Sequence, residues 1–393
     1  MIKPLCRAWD MNNKRVFLRA DFNVPLINGT IGNDFRLKGI IPTLDYILKK
    51  NGSIVLATHI GRPENNQKDR MILSTRILIS WFEEHGYCVE FAENVSSVRS
   101  IAIKSKQIIL MENLRFFPGE KEADIFFAKE LATTAHYYIN DAFGVIHHND
   151  CSVAVLPFEF PDNRRSIGFL MEKELRALNS LQKNPDRPFV IIMGGGKVRD
   201  KIPLIKHLLP YIDTLFIYPA LCFTFLKAMG KPVGLSLVED DMIEECKELL
   251  MYAHNYNVTI IFPQDFQIAN KTIEGSLQTI AMQQFPTTAV GISIGPQSVQ
   301  ICAREIKKAG TIFFNGAMGF SERPETRTST YAIIASMTQS SAKTIIAGGD
   351  SVDCALRVPG HDNISHLSTG GGAALAYLSG ATLPGLIPYP QLR

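Results

Sequence analysis

Cationic and amide side chains recur in this 393-residue chain wherever a short apolar run of its first half comes to an end. Asp21 and Asn23 follow residues 16–19, and His59 and Arg62 follow residues 53–58. Arg115 follows 107–110, His147 and His148 follow 136–140, and Arg36 falls in what reads as the loop between the first run and the helical stretch after it. Guanidinium groups match carboxylates and phosphates in shape, and bonds between charged partners are about twice as strong as neutral ones. A single arginine of this kind reads as a solvated surface charge. Several of them, placed after successive strands, read as a receptor for a small, multiply negative ligand.

The second half ends its apolar runs on glycine. Residues 189–193 lead into Gly194-Gly195-Gly196-Lys197-Val198-Arg199-Asp200-Lys201, and 343–346 into Ala347-Gly348-Gly349-Asp350-Ser351. Further on, Ser368-Thr369-Gly370-Gly371-Gly372 opens an apolar helix. Glycine lets backbone N–H groups approach phosphate oxygens, and a helix N-terminus adds partial positive charge. One glycine triplet would mark only a turn. Several, with lysines beside one and an aspartate in another, read as a phosphate and Mg²⁺ site. The chain has neither a G-x-x-x-x-G-K-[ST] loop nor a G-x-G-x-x-G fingerprint, so a nicotinamide-dependent dehydrogenase fits poorly. A half for a small anion and a half for phosphates make phosphoryl transfer the expected reaction, because it needs chiefly positioning, charge neutralisation and exclusion of water.

The elements that must position these residues are legible in the apolar pattern. Strands are expected at 16–19, 53–58, 107–110, 136–140, 189–193, 214–218, 258–263, 311–314 and 343–346, and helices at 39–50, 75–85, 123–134, 200–209, 240–251 and 299–309. Apolar runs of this length alternating with helices mean parallel strands covered on both faces. The expected fold is α/β, with two doubly wound (Rossmann-like) parallel-sheet domains joined by a hinge helix. The boundary shows in the Pro-, Asp- and Asn-rich stretch 157–165, followed by a helix over 171–181 and the turn Asn184-Pro185-Asp186-Arg187-Pro188. That places the domains at 1–170 and 171–378. The helix between them reads equally as a lever for closure or as an ordinary connector.

Composition sets further bounds. Hydrophobic residues are 46% and charged residues 20% of the chain, which excludes a wholly disordered protein. With 41 Lys+Arg against 38 Asp+Glu, it lacks the basic footprint of a dedicated nucleic-acid binder. The seven cysteines are widely spaced with no C-x-x-C pair, against a disulfide framework or cysteine zinc site and in keeping with a reducing cytosol. Cys151 and Cys222 lie near sites discussed below, and nothing in the sequence suggests a lowered thiol pKa. The opening MIKPLCRAWDMNNKR contains no signal-peptide core, and no run of 18 apolar residues occurs. The expectation is a soluble cytoplasmic protein with no membrane or nucleic-acid partner.

The strings LRADFNVPL, THIGRP, ENLRFF, YINDAFG, FLMEKEL, NPDRPFVIIMGGGKVRDKI, FFNGAMG, GGDS and SHLSTGGGAALAYLSG occur in the order and spacing of phosphoglycerate kinase, and the resemblance covers essentially the whole chain. It implies reversible phosphoryl transfer from 1,3-bisphosphoglycerate to ADP, giving 3-phosphoglycerate and ATP. It also implies Mg²⁺ carried with the nucleotide, and a glycolytic monomer whose two domains close around a hinge. By position, Asp21, Asn23, Arg36, His59, Arg62 and Arg115 match the family's phosphoglycerate-binding residues, with His148 in the same patch. Lys197 and Lys201 match the lysines on the nucleotide phosphates and the transferring group. Gly291, Glu322, Gly348, Gly349, Asp350 and Ser351 match nucleotide-binding positions, with Asp350 holding the Mg²⁺-nucleotide. The resemblance further implies a C-terminal tail, 379–393, packed on the first domain. The acceptor carboxylate needs no general base, so Arg36, Lys197, Lys201 and the glycine N–H groups are expected to stabilise the phosphoryl in flight.

The departures from the pattern fall at functional places. His148 stands where the family has arginine, and Asp150 where a histidine is common. Histidine cannot form the bidentate fork, so weaker phosphoglycerate binding, partly recovered in mild acid, is expected unless another cation takes over. Tyr218-Pro219-Ala220 replaces a glycine triplet lining the adenine pocket, where Tyr218 either intrudes on the base or stacks on it. Ser293-Ile294-Gly295-Pro296-Gln297 replaces Asp-Ile-Gly-Pro-Lys. The stretch 314–319 lacks a Trp and a Pro of the family, and Ser321 replaces a Phe. The alternatives to an active kinase are a relative that binds phosphoglycerate with weak or altered nucleotide use, and a non-catalytic scaffold.

Overall fold

The computed structural model describes residues 3–27, 29–64, 66–320 and 322–389. Ser321 and the last four residues of the tail therefore lie outside the described residues. The chain divides into two compact units, one running up to Arg176 and resumed from Thr382, the other Ala177–Ala381.

In the first unit, β1 (Arg15–Arg19), β2 (Ser53–Ala57), β3 (Val89–Ala92), β4 (Ile108–Met111), β5 (Tyr137–Asn140) and β6 (Arg165–Ile167) form a six-stranded parallel sheet in the order β3-β4-β2-β1-β5-β6. Every residue of β1, β2 and β4 is buried, as a sheet covered on both faces requires. The helix α1 (Phe35–Lys49) packs Leu37, Ile40, Leu44 and Ile47 onto it. It begins four residues earlier than expected, directly after a turn in which Asn33 Oδ1 accepts the Phe35 N–H at 2.8 Å. Arg36 is thus in a helix and not in a loop. The expected helix over 75–85 is a 3₁₀ turn, Thr75–Leu78, followed by Ile79–Glu84. The edge strands β3 and β6 were not expected: Val89–Ala92 is only half-buried, and β6 has three residues, beginning with an arginine.

A single helix, α2 (Phe169–Gln182), crosses the division between the units. The buried Asp141 carboxylate at the end of β5 accepts its Met171 N–H at 2.8 Å and the Thr43 hydroxyl at 2.5 Å. In the tail, Arg165 Nε donates to Pro388 O at 3.1 Å and Tyr389 is fully buried in the first unit.

The second unit contains β7 (Phe189–Gly195), β8 (Thr214–Ala220), β9 (Thr259–Ile261), β10 (Asp265–Asn270), β11 (Leu277–Ala281), β12 (Ala289–Ile294), β13 (Thr311–Asn315), β14 (Lys343–Ala347) and β15 (His366–Leu367). One sheet is parallel, in the order β9-β8-β7-β13-β14-β15; the other is antiparallel, β11-β10-β12. The two parallel sheets are as expected, and the small antiparallel sheet is an addition to them. Its strands β10 and β11 carry Gln267, Gln278 and Thr279 among apolar residues, so they lack the continuous apolar runs that mark buried parallel strands. Helices α3 (Val198–Leu208), α4 (Leu221–Ala228), α5 (Ile243–Asn255), α6 (Pro296–Lys308), α7 (Thr328–Thr338), α8 (Gly349–Leu356) and α9 (Gly372–Leu378) complete the unit.

Candidate functional site

The residues singled out in the first unit converge at the carboxyl ends of β1, β2, β4 and β5. Asp21, two residues past β1, pairs with Arg36 on the first turn of α1, and its Oδ1 accepts the Asn23 N–H at 3.1 Å. Asn23 Oδ1 in turn accepts the Gly61 N–H at 2.9 Å, and Arg115 donates to Gly61 O. The loops after β1, β2 and β4 are tied together by these bonds. Gly144, past β5, closes against the pair: a Cβ there would stand 2.0 Å from Asp21 Oδ2, so no other residue fits without moving it. Burial raises the Asp21 carboxyl, but Arg36 and His59 outweigh it and hold the group below the usual carboxylate range.

His59 is buried between Arg19 and Asp21, and burial pushes its imidazole down to about 3. Its Nδ1 lies 3.3 Å from Arg19 Nη2; a guanidinium only donates, so Nδ1 accepts and the proton sits on Nε2, 3.9 Å from Asp21. Behind this rim, the fully buried Arg19 donates from Nε to Ser152 Oγ at 2.7 Å and stands 3.7 Å from Glu120. The sequence reading passed over Arg19 and Glu120, whose role is to anchor the rim from below.

Arg62, Arg115, Lys121 and His148 face one cleft of about 500 Å³, walled by Pro63, Phe117 and Pro118. Arg115 Nε and His148 Nδ1 are buried with no hydrogen-bond partner, as expected of groups awaiting a ligand. His147 is half-buried, and burial together with the adjacent His148 lowers it to about 4. Asp150 lies under the cleft, bonded to Lys121 Nζ at 2.7 Å and 3.7 Å from His148 Nδ1. Burial would raise its carboxyl, yet His148, Lys121 and Arg19 hold it well below the usual range. Lys121 was not among the residues picked from sequence; its only signal there was a charge in the stretch after ENLRFF.

In the second unit the ends of β7, β13 and β14 meet backbone to backbone. A Cβ at Gly316 would lie 2.0 Å from Gly194 O and 2.7 Å from Lys201 Nζ, so the close approach requires glycine. Lys201, on the first turn of α3 and only 6% exposed, lies beside this junction. Its Nζ donates to Gly194 O at 2.7 Å and Asn315 Oδ1 at 2.6 Å, both neutral acceptors. Burial pulls the ammonium down to about 8, with Asp200 pulling the other way. Asn315 Nδ2 donates to Ala347 O at 2.8 Å, and the Gly316 N–H to Ser351 Oγ at 2.8 Å, which ties β14 and α8 into the same cradle.

The remaining candidates are distributed around this cradle. Lys197 is exposed in the left-handed region, immediately before α3, whose first turn is capped by Glu239 through the Val198 N–H at 2.6 Å. Gly348 and Gly349 open α8, and nothing lies within 4 Å of a Cβ built at Gly349. Asp350 projects into solvent with Arg327 Nη2 3.5 Å away; Arg327 itself is buried, and sequence reading missed it. Glu322 is exposed. Gly291 is buried on β12: a Cβ there would stand 2.0 Å from the Phe223 ring, and its N–H donates to Ser236 Oγ at 2.9 Å.

Two of the departures lie in the interior. The side chain of Tyr218 is one of them. It is 1% exposed, with its hydroxyl donating to Ser298 O of α6 at 3.4 Å, so it is a core residue. Ser293, in the place of an aspartate, bonds Ser329 at 2.5 Å in the interior. Cys151 and Cys222 are both buried, which pushes their thiols up, so neither is activated.

The phosphoglycerate kinase family model matches residues 6–381. A phosphoglycerate kinase from Rubrobacter xylanophilus is 37% identical over 394 residues, covering 100% of this chain and 99% of its own length. One from Prosthecochloris aestuarii is 38% identical, covering 95% and 96%. Among solved structures, phosphoglycerate kinase from Coxiella burnetii superposes with a TM-score of 0.84 at 28% identity, covering 98% of each chain. That from Pyrococcus horikoshii gives 0.84 at 27% identity, covering 100% of this chain and 99% of its own.

Proposed function

The chain belongs to the phosphoglycerate kinase family, and on that premise we propose how its residues divide the work of a phosphotransferase with a carboxyl acceptor. The first unit, with the tail, is the phosphoglycerate domain. Asp21, Asn23, Arg36, His59, Arg62, Arg115 and His148 hold 3-phosphoglycerate or 1,3-bisphosphoglycerate. The second unit is the nucleotide domain. Lys197, Lys201, Gly348, Gly349, Asp350 and Ser351 take the phosphates of ATP or ADP, with Gly291 and Glu322 toward the nucleoside.

Arg36, Lys197 and Lys201 are the catalytic residues in this reading. Charge on a phosphoryl in flight is spread over its oxygens, so catalysis is mostly stabilisation by fixed cations and N–H groups. Lys201 suits the task because its ammonium is buried against neutral acceptors, and an incoming phosphate is the counter-charge that it lacks. That single observation carries the active reading.

Asp350 fits a Mg²⁺ brought in by the nucleotide. An exposed carboxylate beside the open Gly349 suits a cation held mainly by phosphates and water, and no group of three or more His, Cys, Asp or Glu side chains able to cage a metal occurs among the described residues. When bound, Mg²⁺ would neutralise phosphate charge. The same reading makes the protein a cytoplasmic monomer; no helix among the described residues is long and apolar enough to cross a membrane.

Steady-state turnover of 3-phosphoglycerate with Mg-ATP tests the reading. Turnover lowered by about 10²–10³-fold in Lys201→Ala is expected. A well-folded protein that binds 3-phosphoglycerate without turning it over would favour the second reading, altered nucleotide use. The burial of Gly291 under Phe223, with its N–H taken by Ser236, is the observation on that side.

A further inference from the structure

The cleft of the first unit holds one more cation than its sequence motifs account for. Lys121 lies on the short helix Pro118–Lys121 and lines the same cleft as Arg62, Arg115 and His148. Its ammonium is fixed by Asp150, at 2.7 Å, on a carboxylate that is itself 2% exposed. The lysine side chain is 53% exposed. The arrangement is lopsided: a buried anion anchors a lysine whose other ammonium donors remain free to face the cleft.

We propose that Lys121 is a direct ligand of the substrate phosphate, supplying the charge that His148 does not, with Asp150 as the residue that positions it. Three observations converge on this. The cleft that Lys121 lines is also lined by Arg62, Arg115 and His148, with one carboxylate, Glu122, among them. Asp150 Oδ2 has no hydrogen-bond partner and His148 stands 3.7 Å from it, too far for a bond, so the one direct hydrogen bond to the carboxylate is from Lys121. Asp150 in turn rests above Arg19, so its charge is compensated from below and need not hold all of the lysine's. An ammonium is a point charge with three donors; a phosphate oxygen can take the second while Asp150 keeps the first.

The proposal rests on the phosphoglycerate reading of this cleft, and calorimetry separates the two. Binding of 3-phosphoglycerate to the unaltered protein, weakened by Arg62→Met, tests the reading itself. Lys121→Met then tests the proposal: it should weaken 3-phosphoglycerate about tenfold while leaving ATP binding in place, measured well below a thermal midpoint that falls because the buried Asp150 loses its partner, and Lys121→Arg should recover most of the loss in both. Asp150→Asn loosens Lys121 but also removes an anion from beneath the cleft, so it should weaken binding by clearly less than Lys121→Met does. Unchanged affinity in Lys121→Met would overturn the proposal. So would an equal loss in Asp150→Asn, which would show that the ion pair matters only as structure.

Discussion

On the proposed reading, the two units meet anions by different means. The first presents charged side chains gathered at the strand ends and on the helices beside them, several held by partners: Asp21 with Arg36, Arg115 with Gly61 O, Lys121 with Asp150. The second uses backbone, with Gly194 and Gly316 pressed together and one buried ammonium beside them. The difference governs how each can change. Side-chain charges can be exchanged singly, and His148, Asp150 and Lys121 show a histidine and a lysine sharing the cleft. A backbone cradle with 2.0 Å clearances for an added Cβ cannot lose its glycines, so the departures fall around Gly194 and Gly316, at 218–220, 293, 314 and 317, and not on them.

The largest test of this contrast is Lys201→Ala. Removing a preorganised donor of transition-state charge lowers kcat by about 10²–10³-fold, and calorimetry should show 3-phosphoglycerate binding unmoved. Next comes Arg62→Met, expected to raise the Kd for 3-phosphoglycerate by about tenfold or more without altering that for ATP. A loss spread over both ligands would break the separation of the units.

The pH dependence comes next in size. Lys201 is held down to about 8 by burial, so the free protein loses this charge as pH rises through that value, and a bound phosphate favours the charged form. Nucleotide affinity is therefore full at pH 7 and falls by up to about tenfold for each pH unit above 8. Isothermal titration at pH 7, 8 and 9 measures it, and a flat profile would contradict the buried ammonium. The smallest effect belongs to Tyr218→Phe. Losing a bond to Ser298 O should reduce stability to urea by about 1 kcal/mol and leave the ATP Kd unchanged. A change in Kd would return Tyr218 to the pocket.

Much of this was legible in sequence, for a physical reason. Strands buried on both faces advertise themselves as apolar runs, so the central strands of both sheets could be read, and with them the polar residues at their ends. The half-buried β3 and the antiparallel β10 and β11 mix polar with apolar residues and left no such run, whereas β12 is mostly apolar and was passed over. Arg36 was misplaced because the turn before α1, in which Asn33 Oδ1 accepts the Phe35 N–H, lies outside the hydrophobic period by which the helix was read. Tyr218 was misread because residue type says nothing of which face of β8 it occupies. Arg19, Lys121 and Arg327 were missed for a common reason: their significance lies in partners distant in the chain, Glu120, Asp150 and Asp350.

The account holds that the nucleotide is gripped by its phosphates, at Lys201 and the glycine cradle, more than by its base. Titration of ATP, GTP and inorganic tripolyphosphate, each with Mg²⁺, into the intact protein tests this directly. The expected result is ATP and GTP within about threefold of each other and tripolyphosphate within about tenfold of both, a gap of about 1.4 kcal/mol. ATP binding more than about a hundredfold tighter than tripolyphosphate would contradict it, and would place a working base pocket in the second unit.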